Sequence, residues 1–199
     1  MFMSALEYLE SIRRLSPRIF LDGAPAKADD PRLMPGINAI GVTYDMALDP
    51  SLTPLMRATQ HTSGREINRM LHLDRTPQDL INKLEAVRLM CREAGCAQRY
   101  LCHDAFNALY QTTHAMAADL GGEAHQRFVD WMHWMQDQDL TCAIAMTDGK
   151  GDRSKRPFAQ ANPDSYVRIK QRRADGVVLS GVKAIVTGAP AVHEFLVMP

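Results

Sequence analysis

The sequence predicts an α+β chain, with helices to about residue 138 and β-structure from about residue 140. Three observations carry this. Apolar residues recur at helical spacing through the first two-thirds of the chain. Two strong helix-start signals stand at Ser4 and Thr76. After Leu140 the pattern changes to short alternating or β-branched runs, divided by turn residues at short, even intervals. The expected division is a helical N-terminal domain over 1–138 and a partial β-domain over 139–199.

Ser4 followed by Glu7 is a capping box, in which each side chain satisfies the other residue's backbone N–H. Leu6, Leu9, Ile12 and Leu15 then recur at helical spacing, and Ser16-Pro17 ends the helix. Arg18 to Asp22 reads as a short strand closed by Gly23. Residues 24–36 carry three prolines and little periodicity, which predicts a surface loop. Ile37 to Leu48 reads as a helix stopped by Asp49-Pro50. Thr76-Pro77-Gln78-Asp79 places a cap, a first-turn proline and an acid at the positive end of the helix dipole. Leu80, Leu84, Val87 and Met90 continue that helix to a break at Gly95. A further helix is expected from Cys96 to about Leu120, ended by Gly121-Gly122. Another covers 123–138, with Phe128, Trp131, Met132 and Met135 as its core stripe.

Beyond Leu140, Tyr166 to Lys170 alternates, and Val177 to Leu179 follows the turn Ala174-Asp175-Gly176. Lys183 to Thr187 and Glu194 to Met198 are two more β-rich runs. A tight turn at Ser180-Gly181 would make a hairpin of the second and third. Three or four strands fit, leaving an unpaired edge.

Composition removes several functional classes. The 199 residues balance 23 basic against 23 acidic side chains, so no net positive field draws the chain to nucleic acid. No run approaches the ~20 apolar residues of a membrane span. The start lacks a secretory signal, so the expected location is the cytoplasm. Cys91, Cys96, Cys102 and Cys142 do not resemble a disulfide framework. In a reducing compartment they are free thiols or metal ligands. His103, His114, His125 and His133 lie on expected helices without HExxH or CxxC context, which favours core or surface roles over a metal site. Ser154-Lys155-Arg156 and Arg172-Arg173 are basic but lack interleaved aromatics.

Two stretches stand out chemically. Met146-Thr147-Asp148-Gly149-Lys150-Gly151-Asp152-Arg153 sits at the helix-to-strand junction. Its glycines let backbone N–H groups approach a ligand, Lys150 and Arg153 suit phosphate charge, and Asp148 and Asp152 suit a ring N–H or a ribose hydroxyl. A solvated charged turn explains the same composition. Gly176 to Gly188 places Ile185, Val186, Thr187 and Gly188 at a strand end, where a hydroxyl and an N–H can meet a planar heterocycle. An ordinary hairpin is the competing explanation.

AMTDGKGDRSKRP followed by DGVVLSGVKAIVTGAPAVHE resembles the 4-hydroxybutyryl-CoA dehydratase branch of the 4-hydroxyphenylacetate 3-hydroxylase family. MFMSALEYLESIRRLSPRIFLDG and HDAFNALY at 103–110 are similar to that family too, in the same order. The resemblance implies an acyl-CoA dehydrogenase-like fold: a helical domain, a middle β-domain, then a C-terminal helical bundle. It implies FAD as cofactor, in a homotetramer, with 146–153 and 185–188 lining the flavin. It implies a flavin-dependent monooxygenase or dehydratase acting on a phenolic or an acyl-CoA substrate, in which the basic clusters would meet a CoA phosphate. Full-length relatives are more than twice as long, so the resemblance implies an N-terminal portion with an incomplete active site. A homo-oligomer or a C-terminal partner chain is then expected. The alternative is a truncated or split-gene subunit without a complete site of its own. The dehydratases hold an iron–sulfur cluster through three cysteines and a histidine, two of the cysteines four apart on the helix before the DAFN block. Here the first matches Cys96 but the second is Tyr100, so no cluster is expected. The arginine and tyrosine that hold a phenol in the hydroxylases match Leu101 and Ala105, so that role is not carried over. His193 is a candidate contact to flavin or substrate.

Overall fold

The computed structural model describes residues 1–149 and 151–198; Lys150 and Pro199 lie outside the described residues. Helix α1 (Ala5–Leu15) starts at the expected capping box, with the Glu7 N–H donating to Ser4 Oγ and Glu7 accepting from the Ser4 N–H. Strand β1 (Ile19–Leu21) turns back through Gly23, at φ 80°, into β2 (Ala24–Ala26). The stretch expected to be a loop over 24–36 therefore holds a strand, and its last residues open helix α2 (Met34–Leu48), with Pro35 in the first turn where a missing N–H costs nothing. After the short helix α3 (Thr53–Met56), strands β3 (Arg57–Thr59) and β4 (Glu66–Asn68) form a hairpin that periodicity did not indicate. Three residues per strand are too few to show alternation.

Helix α4 (Pro77–Ala94) begins at the Thr76–Asp79 capping box and ends at Gly95, φ 73°. Helix α5 (Tyr100–Leu120) starts four residues later than expected, because Cys96 to Arg99 make the connecting turn. The helix is thus not continuous across Gly95. Helix α6 (Glu123–Asp137) returns along α5. Its stripe is core as expected: Met132 and Met135 are buried with Phe106, Leu71 and Cys142, while Phe128 and Trp131 pack against that cluster.

The β-region departs most from expectation. Strand β5 (Cys142–Ala145) pairs in parallel with β8 (Glu194–Val197), and the hairpin β6 (Arg168–Arg173) with β7 (Gly176–Ser180) is inserted between them in sequence. The strands form two separate pairs rather than one sheet. Lys183 to Thr187 is not a strand, and there is no hairpin turn at Ser180-Gly181. Gly181 adopts φ 135°, and a Cβ there would stand 2.3 Å from the Tyr166 carbonyl oxygen. The chain is pressed against 166–167 and cannot fold back onto β7. Parallel pairing needs a long crossover, and no local pattern announces which distant run supplies the partner.

Four helical elements and the β-region meet at one buried ion pair. Arg99 donates through Nη2 to Asp139 Oδ1 at 2.5 Å and to the Leu140 carbonyl at 3.2 Å. Its guanidinium lies 3.8 Å from the centre of the Tyr44 ring. Tyr44 stacks on Tyr8 at 4.7 Å, and the Tyr8 hydroxyl donates to the Ala191 carbonyl at 2.7 Å. Asp139 also accepts from the Met3 N–H at 3.1 Å. Burial disfavours charge on Arg99, but Asp139, together with Tyr44 and Cys102, more than offsets it, and the guanidinium pKa stays above its ordinary value.

His193 belongs to this packed centre rather than to an open site. The Thr141 N–H donates to Nδ1 at 3.1 Å, so Nε2 carries the proton and donates to Ser11 Oγ at 2.7 Å, which in turn donates to the Tyr8 carbonyl. Its expected role as a flavin contact does not fit this placement. Burial, reinforced by the charge of Arg99, lowers its pKa to about 4. The sign follows directly. The unfolded chain takes up a proton near pH 6.5 while the folded one refuses it until about pH 4. This stability is complete above pH 6.5 and is lost as pH falls toward 4. We predict that denaturant unfolding at pH 5 and pH 7 differs by up to about 2 kcal/mol through this residue. His193→Gln should remove most of that difference, and an unchanged pH dependence would contradict the assignment.

Candidate functional site

β5 leads directly into the first of the two singled-out stretches. Backbone bonds tie that stretch to the chain ahead of the second: Ala184 N–H donates to the Thr147 carbonyl at 2.8 Å and Gly149 N–H to the Val182 carbonyl at 3.1 Å. Lys183, which sequence reasoning placed inside a strand, fastens the two. Its Nζ is 2.7 Å from Asp148 Oδ1 and donates to the Met146 carbonyl at 3.1 Å. Asp148 also accepts from the Val167 N–H at 3.4 Å. The carboxylate is therefore engaged within the fold, between Lys183 and β6.

Immediately after this junction the chain is strained and open. Ile185 has φ 56°, a left-handed conformation that a β-branched residue adopts only under constraint, and 81% of its surface is exposed. Thr187 is exposed, and Gly188 has φ 76°. A Cβ at Gly188 would lie 3.2 Å from Gln98 Oε1, an oxygen that is buried and without a hydrogen-bond partner among the described residues. Gln98, on the turn before α5, was not singled out from sequence, since a lone glutamine carries no spacing signal.

Two hollows flank this loop. One of about 480 Å³ lies between the two strand pairs, lined by Ala145, Leu179, Lys183, Val186, Phe195 and Val197 among others. A smaller one of about 210 Å³ is lined by Gly188, Gln98, Ile37, Arg32 and Ala191 among others.

Met146, Thr147, Asp148 and Gly149 are thus joined to the 185–188 loop through Val182 to Ala184. Gly151, Asp152 and Arg153 turn away. Gln160, buried, accepts from the Asp152 N–H at 2.8 Å and donates to the Asp152 and Lys155 carbonyls at 2.8 and 3.1 Å. The Asp152 carboxylate accepts from the Ser154 N–H and hydroxyl. These bonds hold its pKa below the ordinary carboxylate value. Arg153 is exposed. Lys150 lies outside the described residues.

The HDAFN block anchors α5. His103 meets the Arg69 carbonyl at 3.1 Å and Asp74 Oδ2 at 2.8 Å. Asn107 accepts from the Asp74 N–H at 2.8 Å and donates to the His72 carbonyl at 3.1 Å. Cys96 is half-buried ahead of α5, and Tyr100 packs against the Met46–Met90 core. His114 and His125 face each other across the α5–α6 hairpin, ring centres 5.2 Å apart. Among the described residues no group of three or more His, Cys, Asp or Glu is placed to hold a metal, and no helix is long and apolar enough to cross a membrane.

A helical region closed by a small β-region, with an open loop rim where they join, is the acyl-CoA dehydrogenase-like arrangement found in the N-terminal parts of one group of enzymes. The family model described as 4-hydroxyphenylacetate 3-hydroxylase N terminal matches residues 5–199, and the chain belongs to that family. It is 38% identical over 202 residues to the 4-hydroxybutyryl-CoA dehydratase/vinylacetyl-CoA-Delta-isomerase of Clostridium aminobutyricum, covering 100% of this chain and 41% of that protein. It is 26% identical to the 4-hydroxyphenylacetate 3-monooxygenase oxygenase component of Thermus thermophilus, again over 100% of this chain and 41% of the relative. The oxygen-tolerant archaeal 4-hydroxybutyryl-CoA dehydratase from N. maritimus superposes with a TM-score of 0.94 at 36% identity, over 100% of this chain and 40% of that one. An HpaB oxygenase component complexed with FAD and 4-hydroxyphenylacetate superposes at 0.80 with 20% identity, over 99% and 41%, a likeness of fold. The chain spans about 40% of the length of the relatives it matches.

The rim's geometry is testable at its glycines. Gly181→Ala combines φ 135° with a Cβ 2.3 Å from a backbone oxygen, whereas Gly36, in the first turn of α2, has nothing within 4 Å of its would-be Cβ. We predict a loss of about 2 kcal/mol or more for Gly181→Ala, and no loss, or a gain of up to ~1 kcal/mol, for Gly36→Ala. Thermal unfolding of the two variants checks it; equal stability would refute the close approach at Gly181.

Proposed function

We propose that this chain is the flavin-binding N-terminal portion of a family enzyme, and that the loop Ile185–Gly188, with Met146 to Gly149 beside it, meets FAD. The observation that carries the proposal is the strained, 81% exposed Ile185 beside the exposed Thr187 and the left-handed Gly188. Strain of this kind persists only where surrounding structure enforces it, and it collects at ligand sites. The donor set fits a flavin: a hydroxyl at Thr187 and a backbone N–H at Gly188 for its polar edge, and Ile185 and Val186 for its apolar face. Gly188 keeps a cradle open that a side chain would crowd against Gln98. Bound there, FAD would supply the redox chemistry. Gly151, Asp152 and Arg153, which turn away from the loop, and Lys150 enter this proposal through the family resemblance alone, as groups suited to phosphate. Residues 1–138 form the supporting helical domain and 139–199 the flavin-facing part.

The substrate class we propose is an acyl-CoA or a phenol. The 38% identity to a dehydratase, against 26% to a monooxygenase component, supports the dehydratase branch by descent. Tyr100, where that branch has a ligand cysteine, argues against a cluster-dependent reaction. The site would be completed by a polypeptide corresponding to the rest of the relatives' length, in the same chain or as a partner, within a homo-oligomer.

FAD titration followed by flavin fluorescence tests this. The 199-residue chain alone should bind weakly, and adding the C-terminal part should restore binding. Thr187→Val should then weaken it about tenfold, the loss of one hydrogen bond of ~1.4 kcal/mol. Failure to bind with the C-terminal part present would sink the proposal, as would binding indifferent to changes at both Thr187 and Ile185. Iron and acid-labile sulfide after anaerobic purification should be absent; stoichiometric amounts would overturn the reading of Tyr100.

A further inference from the structure

Cys102 and Cys142 take no part in the rim. Cys102 lies in the first turn of α5, and Cys142 is the first residue of β5. Their sulfurs are 3.0 Å apart, with the Cys142 thiol donating to Cys102 across 40 residues of sequence. Both are buried, at 0% and 3% exposure, in the cluster with Phe106, Met132 and Met135. A disulfide spans about 2.0 Å between sulfurs, so a movement of roughly 1 Å brings the pair to bonding distance. Neither of the other cysteines is so placed: Cys91 is exposed on the last turn of α4 and Cys96 is half-buried on the connection.

We infer that Cys102 and Cys142 are a reversible cross-link site between α5 and β5, closed by hydrogen peroxide and reopened by thiols. The chemistry balances as follows. One sulfur, as thiolate, attacks a peroxide oxygen; the O–O bond breaks, hydroxide leaves and is protonated to water, and a sulfenic acid remains. The second sulfur attacks that sulfenic sulfur; the S–O bond breaks, the S–S bond forms, and a second water leaves. Two thiols lose two electrons in all, and one peroxide becomes two waters. The S–H···S contact to Cys102 and then burial hold the Cys142 thiol protonated, so the reaction waits on local opening at the start of α5. The bond would fix the strand that enters Met146 to Gly149 against the helix that follows Gln98, joining the two sides of the rim covalently.

The test uses the full chain. After peroxide treatment, free thiols are blocked with iodoacetamide in denaturant, and the digested chain is mapped by mass spectrometry. The expected major product is one peptide pair joining Cys102 to Cys142, with the chain lighter by about 2 Da and the link lost in dithiothreitol. The C91S/C96S chain, which keeps the buried pair alone, should give the same product, and Cys142→Ala should give none. Repeating the treatment in mild denaturant removes limits of access. If Cys102 and Cys142 are both still alkylated there while peroxide has modified Cys91 or Cys96, or if the links formed join other cysteines, the inference is overturned.

Discussion

The Arg99–Asp139 ion pair is the interaction on which the rest of this structure depends. A guanidinium and a carboxylate at 0% and 1% side-chain exposure are costly to desolvate, and the cost is recovered only through close pairing and further bonds. Here the pair connects elements far apart in sequence. Arg99 stands at the start of α5, and Asp139 turns the chain from α6 into β5 at φ 50°, a left-handed position that Asp tolerates. Met3 ahead of α1, Tyr44 on α2 and, through Tyr8, Ala191 in the β-region are fastened to the same centre. Arg99 Nε and Nη1 have no hydrogen-bond partner among the described residues. The Tyr44 ring beneath the guanidinium supplies the compensating attraction.

This centre positions the candidate site from both sides. β5 leaves Asp139 and runs straight into Met146 to Gly149. The turn carrying Gln98 leaves Arg99 and underlies Gly188. The Asp148–Lys183 pair then closes the rim locally, and the chain beyond it carries the strain at Ile185. A rigid helical anchor thus holds a short open loop in a conformation it would not adopt alone, as a preorganised ligand site requires.

Helices were legible in the sequence where capping chemistry was local. Ser4 with Glu7, Thr76 with Asp79 and the glycine at 95 mark ends that the structure reproduces within a residue or two. The core stripe on α6 was legible because Phe128, Trp131, Met132 and Met135 keep 3.6-residue spacing over about two turns. The β-region was less so. The Ala174-Asp175-Gly176 turn announced β6–β7, but the parallel β5–β8 pair depends on contacts about fifty residues apart, for which single-sequence periodicity has no signal. Lys183 to Thr187 looked like a strand through its β-branched residues, yet packing against 166–167 and the bridge to Asp148 took the chain elsewhere. The family blocks pointed to the rim by resemblance. Lys183, Gln98 and Gln160, which build it or its neighbouring turn, carry no recognisable spacing. The family assignment, with relatives of similar fold across the whole chain, agrees with what those blocks indicated.

The most direct test of this account is a double-mutant cycle on the central pair, using Arg99→Met, Asp139→Asn and the double variant, followed by denaturant unfolding. Asn keeps the left-handed turn accessible, so the cycle isolates the charge interaction. Each single change should cost about 3 kcal/mol or more, because it leaves a buried charge unpaired. The double change should cost clearly less than their sum, with a coupling of about 2 kcal/mol or more. Single costs below about 1 kcal/mol, or strict additivity, would contradict the claim that this pair holds the helices and the rim together.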